Sequence, residues 1–462
     1  MSGPFSWFQR AWDVCSVPWV GMGEVEARAE RRWRALVADA RERSPFYREL
    51  YRGLPADATL QLSSLPPVGK ATLMARFDAW LTSRSFDRAT VEAFLGDPQN
   101  VGRPFAGGCA LWTSSGSTGV PGVFIHDPEA LEVYDALQWF RCRGLPPSGG
   151  AWPRFGFEGR YAMVAATGGH FAGAASVERL RRNMPWIAPW MRTFSLLQPL
   201  GTLAAQLDAY APTMLATYPT AAEVLADEQQ AGRLHLRLSE IWCGGENLSP
   251  PTRERLQAVF QAPVFEEYGA SEFMAIAAGC RAGWLHVNAD WVVLEPVDAS
   301  MRPVPAGQPS HTVLLTNLAN RIQPLIRYDL GDSVTVRADP CPCGNPLPAI
   351  RVEGRRDDVL VFARDDGEAV RLMPLVLATV LEDDAAVYDF QLVQTGQREV
   401  RLHLGHDDRA GAAGACAALQ RYFAGQGLAG VRIDVAPESP RRGGNAKLRR
   451  IVHAVDGPAT AA

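Results

Sequence analysis

The chain has 462 residues, a formal net charge of −4 and a sequence pI of about 6.1. This balance argues against a nucleic-acid partner, because nucleic-acid-binding domains usually present clustered basic residues. The sequence contains no apolar run of about 18 residues that would span a membrane, so we expect no membrane partner. The first residues lack the basic start and apolar stretch of a secretory signal, which favours a cytoplasmic protein.

The N-terminal part is predicted to be helical. Residues 22–52 carry apolar residues at helical spacing and predict a long surface helix that breaks near Ser44 and Pro45. Residues 63–81 predict a proline-containing turn that leads into a second helix.

The central part alternates short apolar segments with helical patterns from about 105 to 350. This alternation predicts parallel sheets covered by helices on both faces. The predicted strands are "YAMVAAT" (161–167), "PTMLATY" (212–218), "LSEIWCGGE" (238–246) and "APVFEEYG" (262–269). A more β-rich module follows at 311–318 and 333–338.

The pattern changes after the charged stretch "EGRRDD" (353–358). Short strands and two helices, at 373–383 and 411–424, predict a compact α+β unit of about 100 residues. We therefore predict an α/β fold with a large N-terminal domain (1–353), a hinge-like joint (354–358) and a small C-terminal domain (359–462).

A loop rich in hydroxyl groups and glycine, "TSSGSTG" (113–119), follows an apolar lead-in. Glycines let backbone N–H groups converge and the hydroxyls add donors, which favours a site for an anion such as a triphosphate. The loop is neither a Walker loop nor a Gly-x-Ser-x-Gly nucleophile elbow. The alternative is a flexible Ser/Gly loop without a ligand.

Polar and acidic residues follow the predicted strands, where ligands bind in parallel α/β sheets. Gly244 and Gly245 end one strand, and Tyr268 and Glu272 follow the next. A carboxylate at this position suits Mg²⁺, which takes one or two carboxylates together with phosphate oxygens. The alternatives are an ordinary strand-to-helix turn and a solvated turn, and Asp332 in "YDLGDS" is equally compatible with a turn.

Lysine is scarce: Lys70 and Lys447 are the two lysines among 46 basic residues. Lys447 lies in "GGNAK", among arginines, which indicates a need for a compact ammonium group. The alternative is a surface residue in a basic tail. Lys70 has no evident chemistry.

A metal site is predicted from four residues with sulfur or imidazole ligands. Cys341 and Cys343 form a tight Cys-x-Cys pair, and Cys280 and His286 lie upstream. Together they suit tetrahedral Zn²⁺ in a closed structural site. The alternative is reduced cysteines with an unrelated histidine.

Six motifs in this order resemble the adenylate-forming superfamily of acyl-CoA synthetases, luciferases and adenylation domains. They are the Ser/Thr/Gly loop, Gly-Gly-Glu, Tyr-Gly-x-Ser-Glu, Tyr-Asp-x-Gly-Asp, Gly-Arg-x-Asp-Asp and a lysine near the C-terminus. Within that superfamily the chain is most similar to the phenylacetate–CoA ligase branch, through "SPFYREL" and "LPPVGKATLMARFDAWL". The resemblance covers roughly residues 25–453.

The resemblance implies a role for each matching position. The loop residues Ser114, Ser115, Gly116, Ser117, Thr118 and Gly119 would hold phosphates, and Gly244, Gly245, Glu246, Tyr268 and Gly269 would surround adenine. Ser271 would contact the α-phosphate, Glu272 would bind Mg²⁺, and Asp332 with Arg355 would bind ribose. Asp357 would be the hinge of a mobile C-terminal domain that carries the catalytic Lys447. His170, Phe171, Tyr218 and Trp242 would line the acyl pocket.

The expected function is ATP- and Mg²⁺-dependent activation of a small aromatic or related acid to an acyl-adenylate, followed by transfer to CoA. One alternative acceptor is a carrier-protein thiol or an amine, since "VFARDDGEAVRLMP" (361–374) departs from the branch in a region near the thiol tunnel of relatives. An alternative of another class is a non-catalytic nucleotide-binding scaffold. The branch resemblance also suggests a homodimer.

Overall fold

The computed structural model describes residues 4–55, 57, 59–114, 122–141, 159–353, 360–364, 369–405, 408–440 and 450–453. The helices among them are α1 (Pro4–Cys15), α2 (Val17–Arg43), α3 (Pro45–Leu50), α4 (Lys70–Ala75), α5 (Phe77–Trp80), α6 (Arg88–Leu95), α7 (Pro128–Arg141), α8 (Ala172–Asn183), α9 (Leu200–Tyr210), α10 (Pro219–Gln230), α11 (Pro250–Phe260), α12 (Pro374–Ala385) and α13 (Ala412–Gly425).

The strands divide between the N-terminal and C-terminal parts of the chain. The strands before residue 353 are β1 (Ala110–Ser114), β2 (Gly122–His126), β3 (Tyr161–Ala165), β4 (Met191–Ser195), β5 (Met214–Thr217), β6 (Glu240–Gly244), β7 (Val264–Ala270), β8 (Phe273–Gly279), β9 (Leu285–Val287), β10 (Val292–Val297), β11 (Thr312–Asn317), β12 (Tyr328–Asp329), β13 (Val334–Val336) and β14 (Ala349–Val352). The later strands are β15 (Leu360–Ala363), β16 (Ala369–Leu372), β17 (Phe390–Gly396), β18 (Glu399–Leu404), β19 (Arg432–Val435) and β20 (Ile451–His453).

The predicted break in the N-terminal helix is confirmed. Helix α2 ends at Arg43 and α3 begins at Pro45. Ser44 has an extended backbone and its side chain accepts a hydrogen bond from the backbone N–H of Tyr47. Proline is favoured in the first turn of a helix, where its missing N–H costs nothing, so Ser44 and Pro45 together start a new helix.

The largest sheet among the described residues has the strand order β13-β14-β9-β8-β7-β6-β5-β3-β4. Strands β4, β3, β5, β6 and β7 run parallel, which confirms the prediction for the central segments. The remaining neighbours are antiparallel. The β-rich module is therefore split: β13 extends this sheet, whereas β11 pairs with β10 and β12 in a separate sheet.

The parallel strands use their two faces differently. Val164, Leu215 and Ile241 are buried in a core cluster that includes residues of α9, α10 and α11. The alternate residues Met163 and Ala216 point to the opposite face, because successive side chains in a strand alternate. That second face borders a cavity.

The C-terminal part has its own core. Strands β19-β18-β17-β20 form a sheet whose buried residues cluster with those of α12 and α13. The unit also contacts the larger part, since Met373 and Val376 join the core cluster behind the parallel strands and Gln426 Nε2 donates to the Leu197 carbonyl over 3.1 Å. The predicted joint at 354–358 lies outside the described residues, so the exact boundary and the hinge stay predictions.

Among the helices of the described residues, none combines the length and the apolar character that a transmembrane helix requires.

Candidate active site

A cavity of about 1190 Å³ opens at the carboxyl ends of the parallel strands. Its walls come from the central sheet, from α7 and α8, and from α12 and β20 of the C-terminal unit. The cavity therefore lies where open α/β sheets bind their ligands.

Two carboxylates at the cavity wall are each held by a tyrosine. Tyr328 Oη donates to Glu272 Oε1 over 2.8 Å, and Tyr268 Oη donates to Asp332 Oδ2 over 2.9 Å. Glu272 and Tyr328 are almost completely buried. The structure thus brings together Tyr268, Glu272 and Asp332 from two motifs about 60 residues apart in the sequence.

The turn that carries Ser271 and Glu272 is fixed by a second layer of buried polar groups. His126 Nε2 lies 2.9 Å from the Ser271 carbonyl, and Asn317 Nδ2 donates to the Glu272 carbonyl over 3.0 Å. Burial lowers the pKa of His126 to about 3, so its ring is neutral and donates through Nε2 to that carbonyl. Ser271 Oγ donates to the Thr113 carbonyl over 2.9 Å, which places this turn beside the start of the Ser/Thr/Gly loop.

Lys70 was not predicted to have a role, and it lies in this site. Its Nζ is 3.3 Å from the Oγ of Ser114, the second residue of the Ser/Thr/Gly loop. Burial raises the pKa of Glu272, and the positive charge of Lys70 acts in the opposite direction. The scarcity of lysine and the position of Lys70 at the first turn of α4 were the available signals, but they do not reveal where α4 packs.

The Gly-Gly-Glu turn follows β6. Gly245 has φ +76°, and a Cβ at this position would lie 2.9 Å from the ring of Tyr218. Glu246 accepts two hydrogen bonds of 3.0 Å from Thr220, one from its backbone N–H and one from its hydroxyl. Glycine is needed here because the left-handed backbone and the adjacent ring exclude a side chain.

Gly269 lies at an irregularity in the pairing of β7 with β8. A Cβ on Gly269 would lie 1.9 Å from the Met274 carbonyl, so a side chain is excluded. Bulges of this kind change the direction of neighbouring side chains. This one lies between Tyr268 and Glu272 in the chain.

One face of the parallel strands borders the deeper part of the cavity, between the sheet and helices α7 and α8. We call this part the sheet-face chamber and define it by Met163, Gly173, Val177, Ala216, Trp242 and Glu267. The predicted pocket residues Phe171, Tyr218 and Trp242 line the cavity. His170 is not among the lining residues, and its ring packs against Phe94 with the centroids 5.8 Å apart. Its role in the acyl pocket stays a prediction.

Several predicted site residues lie outside the described part of the chain. They are Ser115, Gly116, Ser117, Thr118 and Gly119 of the loop, Arg355 and Asp357 of the joint, and Lys447. Their roles stay predictions. Arg450 and His453, which follow Lys447 in the chain, do line the cavity.

The four predicted metal ligands converge at the antiparallel end of the large sheet. The ligand atoms of Cys280, His286, Cys341 and Cys343 all lie within 4.8 Å of one another. Cys280 Sγ is 3.7 Å from Cys341 Sγ, and Cys343 Sγ is 3.2 Å from His286 Nε2. His286 Nδ1 lies 2.8 Å from the Leu347 carbonyl and donates to it, which leaves Nε2 as the ligand atom.

Comparison with known proteins finds similarity to AMP-binding enzymes and to a CoA ligase. The family model described as AMP-binding enzyme matches residues 190–311. The phenylacetate-coenzyme A ligase of Thermus thermophilus is 26% identical over 355 residues, which is 73% of this chain and 72% of that protein.

Solved structures of a 2-hydroxyisobutyryl-CoA ligase share the fold. The complex with 2-HIB-AMP and CoA in the thioesterification state superposes with a TM-score of 0.56 at 22% identity, covering 94% of this chain and 90% of the other. The open conformation gives 0.52 at 22% identity, covering 91% and 89%. The ordered motifs and these similarities together relate the chain to AMP-binding enzymes and CoA ligases, and residues 190–311 are the part that the family model matches.

Proposed function

We propose that this chain activates a carboxylic acid with ATP, forming an acyl-adenylate and pyrophosphate, and then transfers the acyl group to the thiol of CoA with release of AMP. The observation that carries this proposal is the pair of tyrosine-held carboxylates, Glu272 and Asp332, at one cavity beside the Ser/Thr/Gly loop. The small aromatic or related acid expected from the sequence remains the proposed substrate class.

The adenylation step brings two anions together. A carboxylate oxygen of the acid attacks the α-phosphorus of ATP, the new P–O bond forms, and the bond to the departing pyrophosphate breaks with its electron pair. Catalysis then consists mainly of positioning and charge neutralisation. Lys70, whose Nζ lies beside Ser114, supplies one positive charge at the loop, and Lys447 would supply a second from the C-terminal unit.

The ribose end of the nucleotide is proposed to bind Asp332. The hydrogen bond from Tyr268 holds one oxygen of this carboxylate and orients the group. Ribose hydroxyls donate readily to a carboxylate, and such charge-assisted hydrogen bonds are about twice as strong as neutral ones. Adenine would lie against the Gly-Gly-Glu turn, where the absence of side chains at Gly244 and Gly245 leaves a flat surface.

Glu272 is proposed to hold Mg²⁺ together with phosphate oxygens. The residue fits this role because its carboxylate is buried at the cavity wall and one of its oxygens is fixed by Tyr328. Mg²⁺ supplies charge neutralisation at the phosphates when it is bound. A cation would also offset the burial that raises the pKa of Glu272 and would keep this carboxyl ionised.

The second step is proposed to use CoA as the acceptor, with the C-terminal unit rotating about Asp357 between the two steps. Support comes from the named relatives, a phenylacetate-coenzyme A ligase and a 2-hydroxyisobutyryl-CoA ligase. A carrier-protein thiol or an amine remains the alternative acceptor, since residues 361–374 depart from the branch pattern.

A structural Zn²⁺ site is proposed at Cys280, His286, Cys341 and Cys343. In a tetrahedral zinc site with Zn–S bonds of about 2.3 Å, neighbouring sulfur atoms lie about 3.7–3.8 Å apart. The separation of 3.7 Å between Cys280 Sγ and Cys341 Sγ fits this geometry. The ion would tie the β8–β9 hairpin to the turn before β14.

Elemental analysis of the purified protein tests the zinc site. We expect about one zinc per chain, and Cys343→Ser lowers both the zinc content and the Tm because one of four ligands is lost. Cys416→Ser, on α13, is the control and retains zinc. Protein that binds no zinc contradicts this proposal.

Incubation with ATP, CoA and a panel of acids, followed by mass spectrometry, tests the proposed function. We expect an acyl-adenylate without CoA and an acyl-CoA thioester when CoA is added. An adenylate that reacts with an amine or a carrier protein but not with CoA supports the alternative acceptor. Absence of any adenylate with all acids contradicts the proposal and favours a nucleotide-binding scaffold.

A further inference from the structure

The sheet-face chamber is walled mainly by apolar side chains. Residues Met163, Ala216 and Trp242 occupy neighbouring register positions on β3, β5 and β6 and form a row across one face of the sheet. Helix α8 forms the opposite wall, and it approaches so closely that a Cβ on Gly173 would lie 2.8 Å from Met163 Cε. Such a wall suits an apolar body on the bound molecule.

Glu267 is an acidic group in this otherwise apolar wall. It lies on β7 beside Gly244 of β6, and it directly precedes Tyr268 of the nucleotide site. Its one hydrogen bond with described residues comes from Gln138 Nε2 on α7, at a long distance of 3.4 Å to Oε2. Glu267 is partly exposed at the cavity wall, so its carboxyl can accept a further hydrogen bond from a bound molecule.

Glu267 forms no ion pair with the residues that the structure describes. Burial raises its pKa to about 7, and the hydrogen bond from Gln138 acts in the opposite direction. The other carboxyl in the chamber region, Asp135 on α7, differs in this respect because Arg179 on α8 forms an ion pair with it.

Ser176 on α8 is a further polar group at the cavity wall. It is 7% exposed and lines the cavity, and its Oγ has no hydrogen-bond partner among the described residues. A buried polar group without a partner is unfavourable, so native structures usually satisfy such groups. A bound molecule that offers a hydrogen-bond donor would satisfy the carboxyl, and a hydroxyl such as Ser176 accepts or donates equally well.

We propose that the acid activated by this chain carries a hydrogen-bond donor, a hydroxyl or an amino group, which binds Glu267 in the sheet-face chamber. This inference rests on the proposed acid-activating function and adds a substrate class to it. The acid's own carboxylate faces the nucleotide end, its body packs against Met163 and Trp242, and its donor reaches the carboxyl on β7. A site built around a hydrogen-bonding group discriminates strongly against analogues that lack the donor.

Matched acids test the inference. Benzoate and phenylacetate are compared with their hydroxyl- and amino-substituted counterparts in acid-dependent pyrophosphate exchange. The best donor-bearing acid is expected to exceed its parent in kcat/KM by at least about tenfold, which corresponds to one well-formed buried hydrogen bond. The relative exchange rates of the hydroxyl-substituted and the amino-substituted acids identify which group is the donor. Equal or faster exchange with the parents overturns the inference.

Variants of Glu267 connect the preference to this side chain. Glu267→Leu is expected to reduce the preference for the donor-bearing acid over its parent about tenfold or more. The acceptor is lost in this variant, so the donor group of the acid is left without a partner. Glu267→Gln keeps an acceptor oxygen and retains part of the preference. Met163→Leu is the control in the same wall, and it changes kcat/KM for both members of a pair by a similar factor. An unchanged preference in Glu267→Leu contradicts the assignment to Glu267.

Failure of the proposed function gives a different result from failure of this inference. If no acid supports exchange, the adenylation proposal fails, and the inference is then decided by calorimetric binding of the same acid pairs to the wild-type protein. Tighter binding of the donor-bearing member, reduced in Glu267→Gln and lost in Glu267→Leu, supports the chamber assignment. If exchange occurs but shows no preference for a donor, adenylation stands and the inference is wrong.

Discussion

Glu272 and Glu267 line the same cavity, five positions apart in the chain, and have opposite surroundings. At the nucleotide end, Glu272 accepts a 2.8 Å hydrogen bond from Tyr328 and its backbone is fixed by Asn317. In the sheet-face chamber, the Glu267 side chain has one hydrogen bond among the described residues, at 3.4 Å. The comparison shows that the polar groups around Glu272, at the proposed nucleotide end, are already paired, whereas Glu267 can accept a hydrogen bond from a ligand.

The largest expected effect concerns a residue that must be brought to the nucleotide end. Lys447→Ala is predicted to lower the rate of adenylation by about 10²–10³-fold, by analogy with the loss of one electrostatic contact to the reacting group. Thioester formation from a supplied acyl-adenylate should be retained, because that step no longer needs the charge. Single-turnover assays of each half-reaction measure the two rates. Adenylation at near the wild-type rate would show that Lys447 is not catalytic.

The next effect tests the organisation of the nucleotide end itself. Glu272→Gln is expected to lower kcat/KM for adenylation by about 10²-fold, because it removes the negative charge proposed to hold Mg²⁺ beside the phosphates. Tyr328→Phe keeps the carboxylate and removes one hydrogen bond, so a loss of about five- to tenfold is expected.

The pH profile distinguishes these two variants further. The Tyr328 hydrogen bond lowers the pKa of Glu272, so removing the hydroxyl raises that pKa. The acidic limb of the kcat/KM profile should therefore move to higher pH in Tyr328→Phe. A profile that does not move, together with full activity, would show that the tyrosine does not support the carboxylate.

A smaller effect is expected from the ionisation of Glu267. Its pKa is about 7, so the carboxyl is ionised above this pH and accepts a donor more strongly there. The preference for a hydroxyl-substituted acid over its parent should rise by up to about tenfold between pH 6 and 8. Of the charged groups on the neighbouring helices, Asp135 is paired with Arg179, and the remaining contact on α7 is the neutral Gln138.

Glu267→Gln provides the control for the pH effect, because an amide does not ionise. The preference in this variant should be constant across the same range. A preference that still rises with pH in Glu267→Gln would assign the titration to another group.

The smallest effect concerns the size of the chamber. Gly173→Ala adds a methyl group that meets Met163 Cε, and this side chain must move toward the bound acid. KM for the acid should rise a few-fold while kcat changes little. Gly201→Ala is a matched control on α9, where nothing lies within 4 Å of the added Cβ, and it should leave KM unchanged. Equal KM values in the two variants would place the acid elsewhere.

The sequence predicted the α/β fold and the central parallel strands because both leave strong local patterns. Tyr268, Glu272 and Asp332 were also identified, since they belong to motifs whose order is characteristic. The strand order of the sheet was not predictable in this way: β13 and β14 join it through contacts between residues far apart in the chain.

The residues that the sequence did not assign share one property: their roles depend on which distant element they face. Lys70 lies in an N-terminal segment and reaches the site only because α4 packs near β2. Glu267 stands beside a tyrosine of a motif, yet its proposed role follows from its position at the cavity wall and its weak pairing rather than from the motif. His170 was predicted for the acyl pocket from its place in the sequence, and its contact with Phe94 could not be predicted in that way.

Exchange of labelled pyrophosphate into ATP, with and without each acid, tests the central claim most directly. We predict exchange that requires an acid, is abolished or reduced about 10²-fold in Glu272→Gln, and is fastest with acids that carry a donor. Exchange that is independent of acid, or equal in the wild type and Glu272→Gln, would contradict the assignment of this cavity to acid adenylation.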